Sequence, residues 1–358
     1  MNIAPTGGGR TLRSEQTFRK KVERMLKDKR LVLAIVTVAT TLVVGLIFAF
    51  ETTVGISLLI IGLAVLAISS EKAVEHSIGI ATALKLSPLM MGLIVVSLGT
   101  DFPEIVNSII SSALGHIDIN VGDSFGSALM QMTLVLGLLS VIGGPFKVKR
   151  EEVAVMGACE ILAFIASVSM VEKGYISRMN AFFLVASWPL LMLITRGTMK
   201  NHPSVGETNR RLSRHLFLSV LGFIGVAAGA YITIQSVIAL SAVLSIPEYL
   251  ISFFIVAFGT SLPEIVVDLT AIRKKHYEIA IGDAIGSSII DAGFSIGIGT
   301  LFFPGNVTAS LAEKTGLYAL MCSMVVVMML ALRQGHDRKS GLFFILLYAL
   351  AYLTLFVL

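Results

Sequence analysis

Long apolar runs are the feature of this sequence that most limits its possible folds. The first, LVLAIVTVATTLVVGLIFAF, covers residues 31–50, and about 20 apolar residues in a helix cross the hydrocarbon core of a bilayer. Charged residues make up 14% of the chain, whereas soluble domains carry about a quarter. The sequence therefore predicts an all-α integral membrane protein.

Polar breaks divide the chain into eleven predicted membrane helices. The spans are 31–50, 53–70, 88–114, 118–142, 151–171, 179–195, 215–242, 246–271, 278–303, 315–332 and 341–358. If the N-terminus is cytoplasmic, 25 of the 28 Lys and Arg residues fall on that side, and only Lys173, Arg178 and Lys314 lie outside. Basic loops stay on the cytoplasmic side of a membrane. We therefore expect a multi-pass protein of the plasma or inner membrane with its N-terminus inside and its C-terminus outside.

Two stretches of the sequence repeat at a constant offset of 160 residues. GTDFPE at 99–104 returns as GTSLPE at 259–264, and GDSFGS at 122–127 returns as GDAIGS at 282–287. The two copies lie five predicted spans apart, in the third and the eighth, and because five is odd, the second copy enters the membrane from the opposite side. Inverted repeats of this kind place a binding site at their interface, near the middle of the bilayer.

This duplication gives the chain a simple predicted organisation. It comprises a basic cytoplasmic N-terminal segment (1–30), an extra membrane helix (31–50), a first five-helix repeat (53–196), a basic cytoplasmic loop (197–214) and a second five-helix repeat (215–358). The N-terminal segment reads either as a basic helix on the inner membrane surface or as a solvated tail.

The first motif, G-T-x-x-P-E, should interrupt its helix in both copies. Proline lacks an N–H and clashes with the preceding turn, and glycine adds flexibility. Interrupted backbone at membrane depth must be buried in protein or line a polar cavity. Freed carbonyls, hydroxyls and carboxylates are hard oxygen donors that suit Na⁺ and Ca²⁺. The candidates are Ser97, Thr100, Asp101 and Glu104 in the first copy and Ala257, Thr260, Ser261 and Glu264 in the second.

An alternative for this motif is that Asp101 and Ser261 cap a restarted helix, with Glu104 and Glu264 as the third residue of a capping box. Both roles remain open for Asp101 and Ser261. For the two glutamates we favour cation binding, because a carboxylate near the middle of a membrane is costly and is typical of functional sites.

The second motif, G-D-x-x-G-S, combines close packing with further polar groups. Glycines four residues apart allow another helix to approach closely. One turn beyond Ser127 and Ser287, on the same helix face, lie Gln131 and Asp291. These four residues should present hydroxyl, amide and carboxylate groups to the interrupted helices.

Four other acids form a second tier of candidates. Asp123 and Asp283 either line an access path or bond to a neighbouring helix. Asp268 and Glu160 have no acidic counterpart in the other repeat, and a hydrogen bond between helices is the expected role of each.

Together the paired motifs resemble the alpha-repeats of the cation/calcium antiporter superfamily, and within it those of prokaryotic sodium/calcium exchangers. The resemblance runs from about Thr53 to the C-terminus and implies a ten-helix core preceded by one extra helix. It implies cation coordination by Thr100, Glu104, Ser127, Gln131, Thr260, Ser261, Glu264, Ser287 and Asp291. The sequence departs from the family pattern at Asp101, where Ser is usual, at Gln131, where Asn or Asp is common, and at both Gly-Asp pairs, where Gly-Asn is frequent.

The resulting expectation is a secondary-active antiporter rather than an enzyme, which exchanges Ca²⁺ for Na⁺ across the bilayer by alternating access. Glu104, Glu264 and Asp291 would be the metal ligands. The transported ions are its substrates, with no cofactor and no nucleic-acid partner. Coupling to H⁺ is the alternative, because buried carboxylates readily bind protons. More distant alternatives are a cation channel, which would favour a ring of acids around a pore, and an intramembrane aspartyl protease that uses Asp123 and Asp283.

Overall fold

The computed structural model describes residues 29–81, 97–198, 212–273, 275–333 and 335–357. The N-terminal segment up to residue 28, most of the 197–214 loop and the first part of the 88–114 span lie outside these residues. The chain divides into two units, Met1–Val54 and Gly55–Leu358.

Helix α1, Lys29–Ala81, is continuous over 53 residues, so the predicted break between the 31–50 and 53–70 spans is wrong. The polar residues there do not end the helix because they are satisfied within it. The hydroxyls of Thr52 and Thr53 donate to carbonyls one turn back, Phe48 O at 2.8 Å and Ala49 O at 2.7 Å. The total of eleven spans stays a prediction.

The remaining described elements of the first repeat are mostly helical. They are α2 (Ser97–Thr100), α3 (Phe102–Ala113), α4 (Ile117–Met130), a π-helical turn π1 (Gln131–Val135), α5 (Leu136–Ile142), β1 (Phe146–Lys147), α6 (Arg150–Val171), β2 (Tyr175–Ile176) and α7 (Arg178–Thr198).

From α10 onwards, the described elements of the second repeat follow the same order as those of the first. They are α8 (Leu212–Leu244), α9 (Glu248–Ile251), π2 (Ser252–Val256), α10 (Ala257–Thr260), α11 (Leu262–Arg273), α12 (Tyr277–Ile289), π3 (Ile290–Ser295), α13 (Ile296–Phe302), β3 (Gly305–Asn306), α14 (Ala309–Arg333), β4 (Gly335–His336) and α15 (Arg338–Val357).

Eight helices in the described part of the chain are long and apolar enough to cross a membrane. They cover Thr40–Leu66, Ile117–Gly143, Arg150–Val171, Arg178–Thr195, Ile224–Leu244, Glu248–Arg273, Tyr277–Phe302 and Ala309–Arg333. Large apolar side chains cover much of the outer surface of these helices, as at Leu193 and Met321, which are 64% and 66% exposed. Such a surface suits lipid contact and confirms a nearly all-helical membrane protein.

The predicted interruptions are present at both G-T-x-x-P-E motifs. Helix α2 ends at Thr100 and α3 begins at Phe102, and likewise α10 ends at Thr260 and α11 begins at Leu262. Pro103 and Pro263 are the second residues of the new helices. Because each proline lacks an N–H, it cannot bond to the carbonyl one turn before it.

Small residues let α4 approach the second repeat at backbone distance. A Cβ on Gly122 would lie 2.6 Å from the carbonyl oxygen of Tyr249, and one on Gly126 would overlap that of Phe253. This confirms the close-approach interpretation of the glycines in the first copy.

Two short antiparallel pairs join loops of the two repeats, and we refer to them as the loop clamps. Strand β1 pairs with β4 and β2 pairs with β3; β1 and β2 flank α6, so the two clamps lie at opposite ends of that helix. Each clamp takes one strand from each repeat. In the β1–β4 clamp, the imidazole of His336 lies 5.6 Å from the ring of Phe146.

Candidate cation site between the repeats

Three carboxylates from the two interrupted helices meet inside the protein. One oxygen each of Asp101, Glu104 and Glu264 lie within 4.8 Å of one another. All three side chains are buried, with at most 1% of their surface exposed. We call this group the central carboxylate cluster, and it is formed by residues of both repeats.

The interruptions of the two helices determine the positions of these side chains. Glu104 and Glu264 lie in the first turns of α3 and α11, where the helix dipole favours negative charge. Asp101 occupies the turn between α2 and α3, and its side chain makes no capping hydrogen bond. The capping alternative is therefore wrong for Asp101, whose carboxylate instead joins the cluster.

Hydroxyl groups of the second repeat donate to acids of the first. Ser261 Oγ donates to Glu104 Oε1 at 3.4 Å, and Thr260 Oγ1 donates to Asp123 Oδ1 at 2.9 Å. Ser127 Oγ lies 3.5 Å from Thr260 Oγ1. The predicted site residues of the two motif pairs are thus brought together across the repeat interface.

Many oxygens of the cluster have no hydrogen-bond partner among the residues that the structure describes. They are both carboxylate oxygens of Asp101, both of Glu264 and Oε2 of Glu104. Burying an uncompensated carboxylate costs several kcal/mol. A hard cation fits this donor set, because carboxylate oxygens are the ligands that Na⁺ and Ca²⁺ prefer.

The π turns carry the residues one turn beyond the motif serines. Gln131 begins π1 and Asp291 is the second residue of π3. Ser295 Oγ donates to Asp291 Oδ1 at 3.3 Å, while Asp291 Oδ2, Ser287 Oγ and both amide atoms of Gln131 have no partner within the described residues. Turns of π-helix occur frequently at functional sites.

The closest set of acids differs from the predicted metal ligands in one member. Glu104 and Glu264 belong to it as expected, but Asp101 takes the place predicted for Asp291. Asp291 remains close enough for its carboxylate to interact electrostatically with those of Asp101 and Glu104.

The carbonyls of Ser97 and Ala257, predicted as freed ligands, already accept hydrogen bonds. Ser97 O accepts the Asp101 N–H at 2.9 Å, and Ala257 O accepts the Ser261 N–H at 3.2 Å. Pro103 and Pro263, four residues after Gly99 and Gly259, have no N–H that could donate to the carbonyls of these glycines in an α-helix.

The two Gly-Asp aspartates have different surroundings. Asp123 Oδ2 accepts a 2.5 Å hydrogen bond from Asn107 Nδ2, a donor that the sequence prediction missed because Val267 occupies the equivalent position. Asp283 faces Asp268 instead. The protease alternative requires Asp123 and Asp283 to face each other, and these contacts give them separate partners.

Glu160 has the role predicted for it. Ser288 Oγ of α12 donates to Glu160 Oε1 of α6 at 2.8 Å. This is a hydrogen bond between helices.

Comparison with known proteins identifies the family. The family model described as sodium/calcium exchanger protein matches residues 54–196 and 214–357, a stretch in each repeat. The chain belongs to the sodium/calcium exchanger family. This is a family of transporters rather than enzymes.

Individual relatives match this exchanger-family protein over nearly their whole length. An uncharacterised membrane protein of Methanocaldococcus jannaschii is 28% identical over 84% of this chain and 98% of its own. The sodium/calcium exchanger MaX1 of Methanosarcina acetivorans is 26% identical over 85% of this chain and 99% of its own. A solved structure of the sodium-calcium exchanger NCX_Mj matches with a TM-score of 0.60 and 28% identity, over 84% of this chain and 98% of that one.

Proposed function

We propose that this protein exchanges Ca²⁺ for Na⁺ across a membrane by alternating access. The observation that carries the proposal is the central carboxylate cluster, in which Asp101, Glu104 and Glu264 place oxygens within 4.8 Å of one another. Its ligands would be completed by the hydroxyls of Thr100, Ser127, Thr260, Ser261 and Ser287 and by Gln131 and Asp291 in the π turns.

In this proposal, the negative charge of the cluster couples the release of Ca²⁺ to the uptake of other cations. Three carboxylates in a low-dielectric interior strongly oppose a state in which none is neutralised. A site that has released Ca²⁺ must therefore take up other cations before it reopens on the opposite side. Exchange is thereby favoured over leak.

The inverted repeats supply a route to both sides. We infer that α2–α3 and α10–α11 enter the membrane from opposite sides, with the N-terminus in the cytoplasm and the C-terminus outside. Each interrupted helix would then border the access path from one side, and small movements around the shared site would open one path as they close the other.

The test is Ca²⁺ flux in proteoliposomes. We expect an outward Na⁺ gradient to drive uptake of radioactive Ca²⁺, and Glu264→Gln to abolish it. Glu313→Gln is a matched control, because Glu313 lies on the exposed surface of α14 and its loss should leave uptake unchanged. Uptake that persists in Glu264→Gln would overturn the assignment of the cluster as the transport site.

Coupling to H⁺ is a second candidate, favoured by the extra carboxylate of Asp101 in a position where the family pattern has Ser. A proton gradient alone would then drive Ca²⁺ uptake, and Asp101→Ser would reduce the proton-driven rate more than any Na⁺-driven rate. Uptake that responds to Na⁺ and not to protons would reject this candidate.

A further inference from the structure

Asp268 on α11 and Asp283 on α12 form a separate acidic pair beside the central carboxylate cluster. Their carboxyl groups face each other, and both side chains are fully buried. None of the four carboxylate oxygens has a hydrogen-bond partner among the described residues. The Thr100 hydroxyl, which also contacts Ser97 O at 3.3 Å, lies beside Asp283.

The equivalent place in the first repeat is satisfied by neutral donors. Asp123 is the counterpart of Asp283, and it accepts hydrogen bonds from Asn107 Nδ2 and Thr260 Oγ1. The counterpart of Asp268 is Ser108, whose hydroxyl donates to the carbonyl of Ser295. Each aspartate therefore has a threonine hydroxyl beside it, but the first repeat adds an amide donor where the second repeat places another acid.

The hydroxyl one turn further along α12 belongs to the central cluster. Ser287, four residues after Asp283 and fully buried, has its hydroxyl beside the carboxylate of Asp101, so the Thr100 hydroxyl is the neutral oxygen beside the acidic pair. Two buried carboxylates in contact repel each other and lose their hydration, so the pair must hold either a shared proton or a cation.

We propose that Asp268 and Asp283 form a second cation site, which takes a hard alkali or alkaline-earth cation, Na⁺ or Ca²⁺. The carboxylates supply the charge and the Thr100 hydroxyl beside Asp283 supplies a neutral oxygen, a donor set that suits such ions. Asp283 interacts electrostatically with Asp101 and Glu264. A cation bound here therefore reduces the repulsion within the central cluster and favours the state in which the cluster is charged.

The number of cations bound per chain tests this proposal. Equilibrium dialysis of the purified full chain in detergent against radioactive Na⁺, and separately Ca²⁺, gives the saturating stoichiometry of each ion. The informative variant is Val267→Asn/Asp268→Ser, which places at 267 and 268 the residues that the first repeat carries at 107 and 108. We expect it to bind one cation fewer than the wild type, and the ion whose stoichiometry falls identifies the occupant.

An unchanged stoichiometry of both ions would overturn the proposal, since the pair would then share a proton. Asp268→Asn, which preserves the shape of the side chain, repeats the measurement if the double variant does not fold. The proposal rests on the proposed function only in that cations reach the interior of the bundle. Glu264→Gln distinguishes the central site from the second site. It should lower cation binding at the central carboxylate cluster and leave the second site filled. Either assignment can therefore fail while the other stands.

Discussion

The aspartates of the two Gly-Asp pairs occupy equivalent positions in two repeats of one chain, yet their surroundings have diverged. Asp123 is held by Asn107 and Thr260, whereas Asp283 faces the acid Asp268. Residues that shape the backbone, the glycines and the proline of the motifs, are the same in both copies. The duplication thus supplies one geometry twice and leaves the side chains around the site free to differ in charge.

A similar divergence occurs at two other positions near the cluster. Asp101 has Ser261 as its counterpart, and Gln131 has Asp291. At each of these two positions, one repeat carries an acid and the other a neutral residue. The two repeats therefore share the motif residues that shape the backbone but differ in charge, and four experiments test this difference.

The largest effect should come from the glutamates, the one pair of acids in the central cluster that the repeats share. Glu104→Gln should reduce Ca²⁺ affinity as much as Glu264→Gln, because both carboxylates belong to one cluster. Loss of one buried charge from such a group costs about 3 kcal/mol, which is roughly 100-fold in affinity. Dialysis against radioactive Ca²⁺ measures it. A variant that keeps wild-type affinity would show that the repeats contribute unequally even here.

Next in size is the effect of a methyl group at Gly126. Because a Cβ there would overlap the carbonyl oxygen of Phe253, Gly126→Ala should push α4 away from π2 and cost about 1–3 kcal/mol. Thermal unfolding in detergent should show a lower midpoint. Gly293→Ala is the control, since its Cβ would lie no closer than 3.7 Å to any neighbour. Equal midpoints for the two variants would contradict the close contact.

A smaller effect should follow when Asn107 is given the residue of its counterpart. Asn107→Val removes the amide donor to Asp123 and leaves a buried carboxylate oxygen unpaired, at a cost of about 1–3 kcal/mol. The reciprocal change, Val267→Asn, adds a donor near Asp283 and should stabilise the protein in buffer without Na⁺ or Ca²⁺. The midpoints of thermal unfolding of both variants test this prediction. Equal shifts of the two midpoints in the same direction would refute the proposed difference between the two aspartates.

The smallest effect concerns the β1–β4 clamp. Burial, assisted by the nearby charge of Arg333, lowers the pKa of His336 below its ordinary value, against the opposing influence of Leu330 O and Asp337. As the pH falls below about 6.5, the unfolded chain binds a proton that the folded chain excludes, so stability declines. His336→Ile, which copies Ile176 of the other clamp, should flatten the dependence of the melting temperature between pH 7.5 and about 5.5. If the melting temperature of this variant depends on pH as in the wild type, His336 is not the cause of that dependence.

Much of this molecule follows from its sequence because the main constraints are local. Pro103 and Pro263 must interrupt their helices, and Gly122 and Gly126 allow a close crossing. The contacts that escaped prediction depend on partners distant in sequence and unlike in the two copies. Asn107 has Val267 as its counterpart, so a search for repeated motifs passes over it, although a polar residue in an apolar helix sixteen positions before Asp123 was a usable signal.

The failures among the expectations also have physical reasons. The break expected near Thr52 and Thr53 did not occur, because their hydroxyls bond within the helix. Of the two roles left open for Asp101, its side chain does not cap the helix, because its carboxylate joins Glu104 and Glu264. The π turns that carry Gln131 and Asp291 have no composition that distinguishes them from an ordinary α-helix. The strands of the loop clamps, two residues each, are too short to produce an alternating pattern.

The loop clamps have a consequence for the order in which the protein is made. Strands β1 and β2 leave the ribosome with the first repeat, while their partners β3 and β4 are still to be synthesised. Domains of a nascent chain commonly fold in order of synthesis, but the first repeat has to hold two unpaired strands until Gly305 and then Gly335 emerge. The β2–β3 pair can close before the β1–β4 pair, so assembly finishes at the end of α6 nearer its N-terminus. A chain that terminates within α14 would carry one closed clamp and one open strand, a form that cellular quality control could recognise.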